Sequence, residues 1–286
     1  MSKAISNHDK AHFLYNKDGH QCIQFSDLVV GEGIQSNQFL IIDNQRAALI
    51  DPGGDLTYTP LNIEISKRVK ANQLDFIFAS HQDPDIIASL PRWMMHTQCQ
   101  VVTSKLWSRF LPHLASQFVT QQLNHNLDER IIAMPDRGGA IAFGRSDIIV
   151  LPAHFLHSVG NFHFYDPVSK ILFSGDMGAS LIEDHAEQPV ADFEAHIPHM
   201  LGFHQRYMAS NKACQLWANM VRQMDVEMMV PQHGSPFVGR EMVSNFLDWI
   251  SNLACGIDLM NQQHFDAGRA GYKNELTTHL AAPCPT

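Results

Sequence analysis

No C-x-x-C pair occurs in this chain, although it holds five cysteines: Cys22, Cys99, Cys214, Cys255 and Cys284. Their odd number and scattered spacing exclude a disulfide framework, a zinc ribbon and a rubredoxin-type iron site, and suit reduced thiols. A dense Lys/Arg stripe is also missing. With 20 basic against 29 acidic residues the formal net charge is −9, which disfavours nucleic-acid backbones and anionic membranes as partners. No apolar run is long enough to span a bilayer, and the opening "MSKAISNHDKAHFLYNKDGH" has no apolar core of the secretory type. A cytoplasmic location is therefore expected. What the chain does have is apolar content, 45% of 286 residues, enough to bury a sizeable core. It also has 17 histidines. Most are expected at the surface or in packing, so only position can promote any of them to a ligand.

Strand-like and helix-like patterns alternate along the chain, as in an α/β fold. "QFLIID" and "AALIDPGG" read as two strands joined by a polar turn. "LDFIFAS" is an almost wholly apolar run, as expected of a strand buried on both faces. "DIIASLPRWMMHT" and "KLWSRFLPHLASQFVTQQL" have helical spacing, broken or kinked near Pro91 and perturbed at Pro112. The second half repeats the alternation. "SDIIVLPAH" runs into a histidine, "GNFHFYDPVSKILFSGD" makes two strands ending in an acid, and "VEMMVPQHG" ends in His233. Amphipathic helices are predicted at "ASNKACQLWANMVRQM" and "GREMVSNFLDWISNLAC". No linker divides the chain. Residues 1–265 are expected to form one domain, followed by a polar tail at 266–286 that is mobile or serves as a contact arm.

Four apolar strands thus end in polar groups: His81-x-Asp83-x-Asp85, His154, Asp176 and His233. In α/β architectures sites assemble at strand ends and in the loops after them. One histidine after a strand is usually structural. Four such endings in one chain point to a site, because buried charge needs a partner. Three imidazoles and three carboxylates converging there suit two metal ions.

The ligand order, with "LIDPGG" and "LFSGD", resembles the metallo-β-lactamase superfamily, whose fold is an αββα sandwich and whose pattern is H-x-H-x-D-H followed by a His, an Asp and a last His. The resemblance runs from "VVGEGIQSNQFLIID" to "PQHGSPF". It implies one ion held by His81, Asp83 and His154, a second by Asp85 and His233, and Asp176 between them. Two positions depart from the pattern: Asp83 replaces its second His and Ile86 its last. An acid in the first of these places resembles the flavodiiron subgroup, and "HFLHSVGNFHFYDPVSKILFSGDMG" with "HQRYMASNKACQLW" resembles its short relatives, the oxygen-binding diiron proteins. No segment resembles the flavodoxin-like domain of a full flavodiiron reductase, so slow or stoichiometric binding is expected over rapid turnover.

The departures have physical consequences. A carboxylate in place of an imidazole adds a hard, negative ligand and favours the oxidised state of an iron pair. Two iron ions are therefore expected, with zinc or manganese as substitutes. Ile86 cannot ligate, which leaves an open face at the second ion for dioxygen or nitric oxide. Tyr207 is expected to donate a hydrogen bond to such a guest, or to cap the following helix. His157 and His204 are read as packing or gating groups, and Asp51 as a support behind a ligand. The functional expectation is an oxygen sensor or slow oxidase with a signalling protein as partner and a homodimer as an allowed state. The alternative is a metal-dependent hydrolase of an ester, thioester, lactone or phosphodiester.

Overall fold

The computed structural model describes residues 10–31, 33–115, 127–182 and 186–265. The expected tail at 266–286 and the later part of the helix expected across residues 105–123 lie outside them.

Two sheets face each other. The first is a seven-stranded sheet in simple order: β1 (Ala11–Lys17), β2 (His20–Phe25), β3 (Gln38–Asp43), β4 (Arg46–Ile50), β5 (Leu74–Phe78), β6 (Gln100–Ser104) and β7 (Ile131–Met134). Its first four strands are antiparallel hairpins, and β4 to β7 run parallel. The parallel part needs crossovers, which here include α1 (Asp55–Ser66), α2 (Pro84–Ile87) and α3 (Leu90–His96). A further single turn, α4 (Lys105–Ser108), follows β6. The second sheet holds β8 (Gly139–Phe143), β9 (Ser146–Pro152), β10 (Phe162–Asp166), β11 (Ile171–Phe173), β12 (Met228–Val230) and β13 (Phe237–Val238), with β12 between β11 and β13. Helices α5 (Phe193–Tyr207), α6 (Asn211–Val221) and α7 (Arg240–Asn252) cover its outer face.

Three apolar clusters make this a four-layer sandwich. One lies between the sheets, where Phe39 meets Phe173 and Phe78 meets Phe164, both with ring centroids 5.2 Å apart. Another packs α1 and α3, through Tyr58, Leu61, Leu90 and Trp93, onto the first sheet. The third packs Met200, Trp217, Phe246 and Ile250 from α5, α6 and α7 onto the second. Burial on both faces explains why β3 and β10 have no exposed residue. The expected αββα sandwich is the observed one.

The helix expected around Pro91 is two pieces. α2 ends at Ile87, and α3 restarts at Leu90 with Pro91 in its first turn, where a missing N–H costs nothing. Among the described residues no helix is long and apolar enough to cross a membrane.

Candidate metal centre

The site forms where β5, β9, β11 and β12 end. After β5 the chain passes through Ser80 and His81 into α2, which is N-capped by Asp83 and carries Asp85 in its first turn. Gly54, at the start of α1, lets that helix approach: a Cβ there would lie 2.9 Å from Asp85 Cα and 3.0 Å from Pro84 O. Asp176 follows β11 through Gly175, which has φ +52°. His233 follows β12.

Four ligand atoms, one each from His81, Asp83, His157 and Asp176, lie within 4.8 Å of one another. His81 Nε2 is 3.9 Å from Asp83 Oδ2 and 3.6 Å from Asp176 Oδ2. His157 Nε2 is 3.3 Å and 3.1 Å from the same two oxygens. Beside them His233 Nε2 is 3.5 Å from Asp85 Oδ2 and 3.5 Å from Asp176 Oδ1. Asp176 therefore turns one oxygen to each group.

The expectation placed His154 in the first group, and the geometry corrects it to His157. Past Pro152 the chain leaves the strand and curls, with Leu156 N donating to Ala153 O, Phe155 N to Ser158 O and Asn161 Nδ2 to Leu156 O. Strand alternation no longer decides which side chain points inward. The curl turns His157 into the site and leaves His154 at its outer edge, where Nε2 donates to Asp136 O at 2.6 Å. The signal was present in "HFLHS": two histidines three residues apart in one short loop.

The atoms fit metal ions. Cis ligands at about 2.1 Å from an ion lie roughly 3.0–3.6 Å from each other, close to the spacings above. Nε2 of His81, Nε2 of His157 and Oδ1 of Asp176 are buried and have no hydrogen-bond partner in the protein, a costly state unless something else binds them. The far sides of two rings are already held. His233 Nδ1–H donates to Gln35 O at 2.7 Å, leaving Nε2 with its lone pair toward the site. His81 Nδ1 is 2.9 Å from Ser80 Oγ, which also receives Gln232 Nε2 at 2.9 Å. Gln232 Nε2 reaches Asp51 Oδ2 as well, and Ser80 N donates to Asp51 Oδ1 at 2.8 Å. Ser158 Oγ donates to Gln82 Oε1 at 2.6 Å and Gln82 Nε2 to Asp83 Oδ1 at 3.2 Å, tying the His157 loop to the β5 loop.

The charges interlock. Burial raises Asp51 to about 7, against the hydrogen bonds from Ser80 and Gln232. Burial also opposes ionisation of Asp176, yet His81, His157 and His233 around it hold it far below the usual carboxylate range. Burial resists charging His157, but Asp176 and Asp83 outweigh it and raise the imidazole to about 10. Burial lowers His81. Four carboxylate and imidazole groups in mutual balance are what a cation would displace protons from.

Other expected residues fall nearby. Tyr207 ends α5 and is 53% exposed; its ring stands edge-on to His157 at 5.6 Å and stacks on Phe203 at 4.7 Å. The expectation that it caps the next helix is not met, since Ser210 does that. His204 is structural: it accepts from Gly178 N, donates to Met200 O, and burial lowers it to about 4. Ile86 is fully buried and makes only backbone hydrogen bonds, its carbonyl accepting from Gly53 N and its N–H donating to Asp83 O. His163, unremarked in the sequence, accepts from Trp217 Nε1 at 3.0 Å and lies beneath Gly175.

A family model described as ODP family beta lactamase matches residues 34–234. No curated protein matches the chain. Among solved structures, a peroxy diiron species of chemotaxis sensor ODP is 38% identical with a TM-score of 0.75, over 86% of this chain and 97% of that one. The apo state of chemotaxis sensor ODP from T. denticola is 37% identical with a TM-score of 0.74, over 87% and 97%. A metal-soaked Flv1 flavodiiron core from Synechocystis is 17% identical with a TM-score of 0.69, over 85% of this chain and 61% of that one, a likeness of fold. On the extent of the family match and the identity to these relatives, the chain belongs to the ODP family, on a metallo-β-lactamase-type fold.

Proposed function

We propose that this protein is a non-haem diiron protein that binds dioxygen and serves as an oxygen sensor. The observation that carries the reading is the pair of Asp176 oxygens, one facing His81 and His157, the other facing His233. Under it, His81, Asp83 and His157 hold one ion, Asp85 and His233 hold the other, and Asp176 serves both. When bound, an iron pair supplies electrons to a diatomic ligand. Three carboxylates in the set favour iron over zinc, because each offsets the added charge of the oxidised metal.

The chain's own groups do the rest. Gln35 O and Ser80 Oγ orient the His233 and His81 rings. Ile86 adds no donor beside Asp85, which leaves the second ion with few protein ligands and room for dioxygen or nitric oxide. Phe203 and Tyr207 wall the His157 side, and the Tyr207 phenol is the proposed hydrogen-bond donor to the guest. The described relatives are chemotaxis sensors, which supports a sensing role and a signalling protein as the recipient.

The test is anaerobic loading with ferrous iron, then exposure to oxygen. A visible absorption band should grow in a stoichiometric step without sustained oxygen consumption, and should decay faster in Tyr207→Phe. An iron-loaded protein that stays colourless under oxygen sinks the reading. Ester or phosphodiester turnover with zinc and no response to oxygen would replace it with the hydrolase.

A further inference from the structure

Two thiols meet on the far side of the second sheet. Cys214 lies in the first turns of α6, and Cys255 caps a short 3₁₀ turn, Gly256–Leu259, that follows α7. Both are fully buried, and their sulfurs are 3.8 Å apart. The remaining described cysteines have other company: Cys22 faces Asp166 and Ser169, and Cys99 faces Thr97 and Arg130.

Backbone attachments hold the pair in register. Asn211 N donates to Asp258 Oδ2 at 2.6 Å, and Cys255 N donates to the same oxygen at 3.3 Å. Asn211 Nδ2 donates to Ser251 O and Leu253 O, each at 2.9 Å. Ile257 N donates to Ala209 O at 2.9 Å. Gly256 is needed where the turn touches that strand of chain: at φ +53° a Cβ would stand 2.2 Å from Met208 O and Ala209 O. None of these contacts depends on sulfur.

The two thiols are unequal. Asp258 N donates to Cys255 O at 3.1 Å, and Cys255 Sγ lies against the Cys214 thiol. The Cys214 contact lowers Cys255, and the reciprocal contact raises Cys214. Although Cys255 is buried, its neighbours Ala254 and Ile257 are exposed, so a small opening of the turn admits a small reagent.

We propose that Cys214 and Cys255 form an oxidisable dithiol, which hydrogen peroxide converts to a disulfide joining α6 to the turn after α7. The Cys255 thiolate attacks the peroxide; an S–O bond forms, the O–O bond breaks, and the departing hydroxide takes up a proton as water. The Cys214 sulfur then displaces hydroxide from the resulting sulfenic acid; the S–S bond forms, and the Cys214 proton leaves with the hydroxide as a second water. Two thiols and one peroxide give one disulfide and two waters, with two electrons passing from sulfur to oxygen. The sulfurs must close from 3.8 Å to about 2.05 Å, within reach of side-chain rotation and a small shift of the exposed turn. The inference stands apart from the metal centre, because the oxidant is supplied as a reagent.

The test treats the full chain, held in chelator, with hydrogen peroxide, followed by denaturation, alkylation and peptide mapping. Free thiols should fall by two, from five to three, and a single linked peptide pair should join Cys214 to Cys255, lighter by two hydrogens. Cys255→Ser should retain its four thiols, Cys214→Ser should stop at a Cys255 sulfenic acid with three thiols left, and neither should give a link. Where either variant fails to fold, the map of the unaltered chain decides. Five surviving thiols overturn the proposal, as does a link through another cysteine or accumulation of Cys255 sulfinic acid without a link.

Discussion

Two buried imidazole–carboxylate clusters sit at opposite ends of β10, and their difference explains what a metal centre needs. At the Asp166 end His20 Nε2 lies 2.7 Å from Asp166 Oδ2. That carboxylate is saturated: Ser169 gives it both its N–H and its hydroxyl, Val168 N donates at 3.2 Å, and the Cys22 thiol stands at 3.5 Å. At the other end His157 Nε2 lies 3.1 Å from Asp176 Oδ2, a similar pairing. Here, however, three imidazoles surround one carboxylate whose Oδ1 accepts nothing. The residue types nearly match. The Asp166 carboxylate is complete as protein and stitches β2 to β10, although the Nδ1 of its partner His20 is buried without a hydrogen bond; the Asp176 carboxylate belongs to a set of donor atoms aimed at a shared centre. Composition does not separate them, but hydrogen-bond satisfaction at the carboxylate does.

The largest expected break is Asp176→Ala. It removes the carboxylate that the two groups share, so iron per chain, by elemental analysis, should fall at least about tenfold, with both ions lost. Full retention of both would sink the ligand assignment. Next, His157→Ala should cost one ion of the pair, while His154→Ala should keep both. The reverse result would restore the order implied by family resemblance.

Asp166→Asn sharpens the comparison from the other side. Metal content should be unchanged, and chemical denaturation should show a loss of about 3–5 kcal/mol, as for a buried pair deprived of one partner. Burial pushes Asp166 up, but His20 and Ser169 outweigh it and hold the carboxyl below its ordinary value. A depressed carboxylate contributes stability that is complete above the unfolded value of about 3.9 and is lost as pH falls through the folded one. The unaltered chain should therefore lose stability below about pH 4 more steeply than the variant. The smallest effect belongs to Gln232→Leu, which frees Ser80 and Asp51 behind His81. Metal affinity should weaken about 10–100-fold, with the spectrum of the loaded protein little changed.

Much of this was legible in the sequence. β5 ends at Phe78 and β12 at Val230, both apolar runs closing shortly before a histidine, because a strand buried on both faces has no polar position until it leaves the sheet. Asp51 was legible as a support for the same reason. The His154–His157 exchange was not, because the loop after β9 is ordered by its own backbone contacts and by Asn161 rather than by period-two alternation. Nor were β1 and β2. Their hairpin turns on Asp18 and Gly19, both at positive φ, and half of β1 faces outward with mixed polarity, which blurs the pattern. The Gln35 carbonyl that fixes His233 leaves no trace in residue type at all.

Ala209 carries one last consequence. Its N–H is held by Phe155 O, in the loop that bears His157, and its carbonyl by Ile257 N, in the turn that bears Cys255. A single peptide neighbourhood thus tethers the rim of the metal pocket to the final described stretch of the chain. Neither end can shift alone without surrendering a hydrogen bond, about 0.5–1.5 kcal/mol; a displacement at the rim is therefore felt some hundred residues downstream along the chain, through one alanine.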